Sequence, residues 1–266
     1  MFIPVLAYSI YKVMDKIMLG DMPPYTQVGL YQNAEKIINV PMGIITALGT
    51  VMLPRIANTY ANGEKKKVAE YMKKSFNMVF LLSFPMIFGL ISVSKTFVPI
   101  FFGQGYDKVA ILMSVISPII LLIGLSYVTG TQYLLPTKRQ KEYTISVVLG
   151  AIVNFVMNMC LIWNFGAIGA SIGTVIAELT VTLVQIYFVR KDFDFKNIFK
   201  LSTKYLVSSI IMFIVCITLR KFINNNLIST IVQVISGGII YMVCLLILKD
   251  KIIFEIIEKL RKKIKG

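Results

Sequence analysis

The sequence predicts an all-α integral membrane protein that crosses the bilayer about eight times. Three observations carry this. Of 266 residues, 56% are hydrophobic and only 15% charged, against roughly 25% charged in soluble domains, too much apolar surface for one core to hide. The apolar residues fall into runs of about 18 to 25 with few charges, the length of a bilayer crossing. The basic residues gather in alternate loops, as they do where lysine and arginine resist translocation.

The runs come in order as Phe2–Leu19, Glu35–Leu53, Phe76–Ser94, Val109–Gly130, Tyr143–Trp163, Ile168–Val189, Tyr205–Leu219 and Thr230–Leu248. Pro41, Pro85 and Pro118 sit inside three of them, where a missing backbone donor predicts a kink. GAIGASIGT (Gly166–Thr174) opens the sixth run with Gly169 and Gly173 one turn apart. Small residues at that spacing let helix backbones approach closely, so the fifth and sixth runs are expected to form a tight antiparallel hairpin. The tail KDKIIFEIIEKLRKKIKG places Ile253, Ile256, Ile257, Leu260 and Ile264 at helical spacing among lysines, the pattern of a helix lying on anionic lipid.

The loop after the second run carries Arg55, Lys65, Lys66, Lys67, Lys73 and Lys74; that after the fourth, Lys138, Arg139 and Lys141. The loop after the sixth carries Arg190, Lys191, Lys196, Lys200 and Lys204, and the tail is basic throughout. Asp21–Gln32 and Asn164–Ala167 hold no basic residue. Both termini are therefore expected on the cytoplasmic side, and the formal charge of +15 reads as topology and not as a nucleic-acid footprint. The chain has no histidine, which removes His catalysis, His metal sites and His proton relays. It has no Gly-Lys-Ser/Thr phosphate loop, which excludes a cassette ATPase. Cys160, Cys216 and Cys244 lie inside predicted spans without metal-ligand spacing. No cofactor and no metal are expected.

Charges at membrane depth are costly, about 2.5–3.5 kcal/mol each on insertion scales, and they mark the candidate site. Lys12, Asp15 and Lys16 share a sector of roughly 100° on the first helix, where a partial ion pair between Asp15 and the lysines lowers the cost. Three readings stand: lysines snorkelling to an interface, a cluster that binds neighbouring helices, or a water-filled cationic pathway. Glu178, in VIAELTV, is either a structural hydrogen-bonded carboxyl or a proton or cation coupling site. Asn154 and Asn158 share a face that glues helices together. Tyr127, Thr131 and Gln132 offer hydroxyls and an amide to a sugar, or sit as interfacial residues. Arg55 is a topology anchor or a phosphate partner.

Taken in order, YKVMDKIMLG, VGLYQNAEKIINVPMGIITALGTVMLPRIA, FVPIFFGQGY, GTQYLLPTKRQKEYT and GAIGASIGTVIAE resemble the bacterial polysaccharide-biosynthesis flippases. These translocate undecaprenyl-pyrophosphate-linked oligosaccharides and share a superfamily with multidrug antiporters and the lipid II flippase. Family members have two six-helix lobes around a central cavity, often with two further C-terminal helices. The resemblance implies that residues 1–190 are the second lobe, 191–249 the two extra helices, and 250–266 a basic cytoplasmic tail. It further implies a fragment lacking its first lobe, in the bacterial cytoplasmic membrane, acting by alternating access and not as an enzyme. Its implied partners are the lipid-linked oligosaccharide, membrane lipids, the missing lobe and other polysaccharide-assembly membrane proteins. On this resemblance Lys12, Asp15, Lys16 and Arg55 border a cationic cavity for the pyrophosphate. Two alternatives stand beside it, a cation-coupled exporter of small amphiphiles, which Glu178 suits, and a truncated remnant that transports nothing. A membrane glycosyltransferase is disfavoured, because the outer loops are short and lack clustered acids.

Overall fold

A computed structural model describes residues 9, 13–21, 25–250, 252–255 and 258 of the chain. Within them the secondary structure is helical. Helix α1 is described over residues 13–20. It is followed by α2 (Thr26–Ala61), α3 (Lys65–Phe101), α4 (Asp107–Ile116), α5 (Ile119–Ser126), a π-helical segment (Tyr127–Leu134), α6 (Gln140–Phe165), α7 (Ala167–Val189), α8 (Phe195–Arg220) and α9 (Asn226–Ile247). Seven helical stretches among the described residues are long and apolar enough to cross a membrane, with α4, α5 and the π segment forming one of them. They coincide with seven of the eight expected runs. Most of the remaining run, Phe2–Leu19, lies outside the described residues, as do Ile256, Ile257, Leu260 and Ile264 of the tail.

Helices α2 and α3 have 36 and 37 residues. At 1.5 Å per residue each is about 55 Å long, so both project beyond a hydrocarbon layer of about 30 Å. The prolines act unequally. Helix continues through Pro41 and Pro85, whereas Pro118 falls at the break between α4 and α5, where Ile120 N–H turns back to the Ser117 carbonyl at 3.1 Å.

The basic loops meet at one end of the bundle. Arg139 donates to Glu142 Oε1 (3.0 Å), to Asp192 Oδ2 (2.6 Å) and to the Phe188 carbonyl (2.8 Å), tying the loop after the π segment to the end of α7. Phe76 of α3 packs edge-on against Phe193 and Phe195 at 6.4 and 5.7 Å. At the opposite end Ala167 N–H reaches Gln27 Oε1 at 3.3 Å beside Gly166, whose φ of +55° makes the α6–α7 turn. Along that hairpin, the Cβ of any residue replacing Gly169 would meet the Leu161 backbone, and one replacing Gly173 would meet Asn158 Oδ1. The expected tight hairpin is formed.

Past α9 the buried Asp250 accepts from the N–H groups of Ile252 (2.9 Å) and Ile253 (3.1 Å), from the Tyr205 hydroxyl (3.0 Å) and from Lys204 Nζ. It thereby caps residues 252–255 and fastens them to α8. Burial pushes the Asp250 carboxyl up, but the Lys204 ammonium, the Ile253 N–H and the Tyr205 hydroxyl outweigh it and hold the group below its ordinary value. A depressed carboxyl contributes stability above its unfolded pKa and loses it as pH falls through the folded one. Acid proteolysis within 252–255 is therefore expected to rise only as pH falls through the depressed pKa of this carboxyl, and Lys204→Gln to move that rise to higher pH.

Candidate functional site

Asp15 is 4% exposed, and four neutral donors converge on it. Asn154 and Asn158 of α6 donate their amides to Oδ1 at 3.0 and 2.5 Å. The Tyr31 hydroxyl of α2 and Thr174 Oγ1 of α7 donate to Oδ2 at 2.7 and 2.8 Å. Four donors suit an acceptor-only carboxylate. One acidic side chain thus joins α1 to α2, α6 and α7.

The helices place these partners for local reasons. Asn154 and Asn158 are one turn apart and share a face, with Asn158 also donating to Asn154 Oδ1 at 3.2 Å. Thr174 is reachable because Gly173 beside it lets α6 come close. Among the described residues no cation pairs with Asp15. The expected pairing with Lys16 is not made, because Lys16 Nζ lies 2.8 Å from Glu35 Oε2 on α2. Asn158 Oδ1 is buried with no hydrogen-bond partner among the described residues. Asn154 and Asn158 present amide nitrogens to Asp15, and the described residues contain no cluster of three or more His, Cys, Asp or Glu that could hold a metal ion.

The other predicted residues separate into three places. Lys12 lies outside the described residues. Arg55 is exposed on α2, twenty residues beyond Glu35 and about 30 Å of helix away, so it does not converge with Lys16. Glu178 is 6% exposed and lines a cavity of about 240 Å³ with Ser126, Tyr127, Thr131 and Gln185. That cavity joins Glu178 to two of the residues read as sugar contacts. Gln132, the third, lines a separate cavity between α2 and α3. The π segment produces the split. Its wider turn is pinned where Thr129 Oγ1 donates to Gln185 Oε1 at 2.6 Å, and π turns recur at functional sites. Tyr31, Thr174 and Glu35 were not singled out from sequence, and no spacing there connects them to Asp15 or Lys16.

Seven helical stretches long and apolar enough to cross a membrane mark a multi-pass membrane protein. The chain belongs to the lipid II flippase MurJ family, whose model matches residues 16–238. It is 30% identical over 191 residues to the putative O-antigen transporter of Escherichia coli K12, covering 72% of this chain and 46% of that protein. It is 24% identical to the probable low-salt glycan biosynthesis flippase Agl15 of Haloferax volcanii, covering 87% and 49%. It is 23% identical to the lipid II flippase MurJ of Bacillus subtilis, covering 79% and 41%. The chain thus spans about half the length of these relatives. In fold it is similar to a lipid II flippase MurJ in an inward closed conformation, with a TM-score of 0.83, 19% identity, and 94% and 53% of the two chains covered. It is also similar to an outward-facing multidrug resistance MATE family transporter, with a TM-score of 0.63, 16% identity, and 92% and 62% covered.

Proposed function

We propose that this chain is the second lobe, with two extra helices, of a flippase that moves undecaprenyl-pyrophosphate-linked oligosaccharide across the bacterial cytoplasmic membrane. Family membership supports the lipid-linked class of substrate. The observation that carries the mechanism is Asp15, a buried carboxylate held by four neutral donors from three other helices. A proton or small monovalent cation arriving there changes which donors the carboxylate holds. That biases α1 against the α6–α7 hairpin and so supplies one half of an alternating-access cycle. Lys16, joined by Lys12 on the sequence reading, meets the pyrophosphate; Glu35 holds Lys16 in place until the anionic headgroup competes for it.

The test is Lys12→Ala combined with Lys16→Ala in the host. The expected result is normal membrane insertion with lipid-linked oligosaccharide stranded on the inner leaflet. Undiminished export by that double variant removes the cationic role. A second reading, cation-coupled export of small amphiphiles, is favoured by Glu178 sharing its cavity with Tyr127 and Thr131. On that reading Glu178→Gln abolishes drug efflux and leaves oligosaccharide export untouched.

A further inference from the structure

A cavity of about 180 Å³ lies between α2, α3 and the π segment, apart from the Asp15 network and from the Glu178 cavity. Its apolar wall includes Met52 of α2 and Met78 of α3, and Lys74, Ser75 and Gln132 supply its polar groups. Gln132 is 3% exposed and Ser75 6%. Both Gln132 Oε1 and Ser75 Oγ are buried with no hydrogen-bond partner among the described residues. Such groups are rare in native structures and cost free energy unless something unseen satisfies them. Lys74 is exposed and forms no ion pair among the described residues.

The position narrows the ligand. Met52 and Lys74 each lie nine residues from the ends of α2 and α3 that flank the 62–64 turn, about 14 Å along the helices. Lys65, Lys66 and Lys67 open α3 directly after that turn, at the basic end of the bundle. The cavity thus lies toward the basic end of both helices, the side on which inner-leaflet headgroups are expected. Its chemistry asks for three things at once: an anion for Lys74, a hydrogen-bond donor for Gln132 Oε1, and an apolar body for the methionine wall. A bare phosphate lacks the last. A choline headgroup donates nothing, and an ethanolamine headgroup brings a second cation beside Lys74.

We propose that this cavity binds an anionic phospholipid whose headgroup carries free hydroxyls, of the phosphatidylglycerol class. The phosphate sits on Lys74, the hydroxyls satisfy Gln132 Oε1 and Ser75 Oγ, and an acyl chain lies against Met52 and Met78. This is a resident lipid site, independent of whatever the protein transports.

The test is native mass spectrometry of the full chain released from nanodiscs holding equal phosphatidylglycerol, phosphatidylethanolamine and phosphatidylcholine. Wild-type protein is expected to retain phosphatidylglycerol roughly tenfold over the other two. Lys74→Gln and Gln132→Leu each bring that ratio near unity, and Lys191→Gln, on another basic loop, leaves it unchanged. Lys74 is exposed, so its variant carries the test even where Gln132→Leu fails to insert. Equal retention of the three lipids, a preference for ethanolamine, or a ratio that survives Lys74→Gln overturns the proposal. Displacement of the lipid by soluble glycerol 3-phosphate overturns it too, by showing a phosphate site with no use for the acyl chain. A cavity that holds only water, which its volume allows, gives the equal-retention result.

Discussion

Asp15→Ala is expected to produce the largest loss of any single substitution in this protein. It removes the acceptor for four donors and leaves Asn158 with Asn154, and Tyr31 with Thr174, as their remaining side-chain partners. Intramembrane hydrogen bonds average about 0.6 kcal/mol each, and a buried donor left unpaired costs about 1–3 kcal/mol in addition. The loss is about 2 kcal/mol where the freed side chains re-pair among themselves and about 3–5 kcal/mol where one donor stays unpaired. A thermal melt of the purified protein in detergent reads this directly. Asp15→Asn keeps the volume but turns an amide N–H₂ toward two of the donors. It is expected to melt between wild type and Asp15→Ala, and to be as silent as Asp15→Ala in export, because its charge is gone. Retained export by Asp15→Asn would separate the network's structural part from its proposed part in coupling.

The second large effect is expected at Gly169. A Cβ there collides with the Leu161 backbone and not with a flexible side-chain end, so the two helices must move apart. Overpacking of this kind costs about 1–3 kcal/mol and occasionally more. Gly169→Val should lie at the upper end, near 3 kcal/mol, and should also weaken the Thr174 and Asn158 bonds to Asp15. Gly43→Ala provides the contrast. Nothing lies within 4 Å of a Cβ at that position in α2, so the substitution is expected to stabilise by roughly 0.5–1 kcal/mol. Equal melting temperatures for the two variants would contradict the packing described for the α6–α7 hairpin.

Seven spans and their order were legible because membrane length and charge alternation are properties of the chain alone. The hairpin was legible for a related reason, since Gly169 and Gly173 at one-turn spacing leave little use other than close approach. The break at Pro118 and the continuity through Pro41 and Pro85 were not separable in advance, since all three remove the same donor and only the surrounding packing decides which helix parts. The π segment had no signal at all. It exists because Thr129 and Gln185 meet across two helices and because Gly49 admits Tyr127 and Gln132 beside α2. At the site, periodicity gave Lys12, Asp15 and Lys16 a common face but not its neighbours. Asp15 turned to amides and hydroxyls and Lys16 to Glu35, residues whose spacing in sequence says nothing of their meeting. Asn154 and Asn158 were read as helix glue, and they do join helices, through a carboxylate that the reading had assigned to lysines.

The most direct measurement removes the gene for this chain from its host and assays which leaflet holds the lipid-linked oligosaccharide, using an oligosaccharide-modifying enzyme that acts only from outside. The account predicts substrate protected on the inner face, restored to the outer face by the wild-type gene but not by one carrying Asp15→Asn. Substrate reaching the outer face equally well without the gene would contradict it.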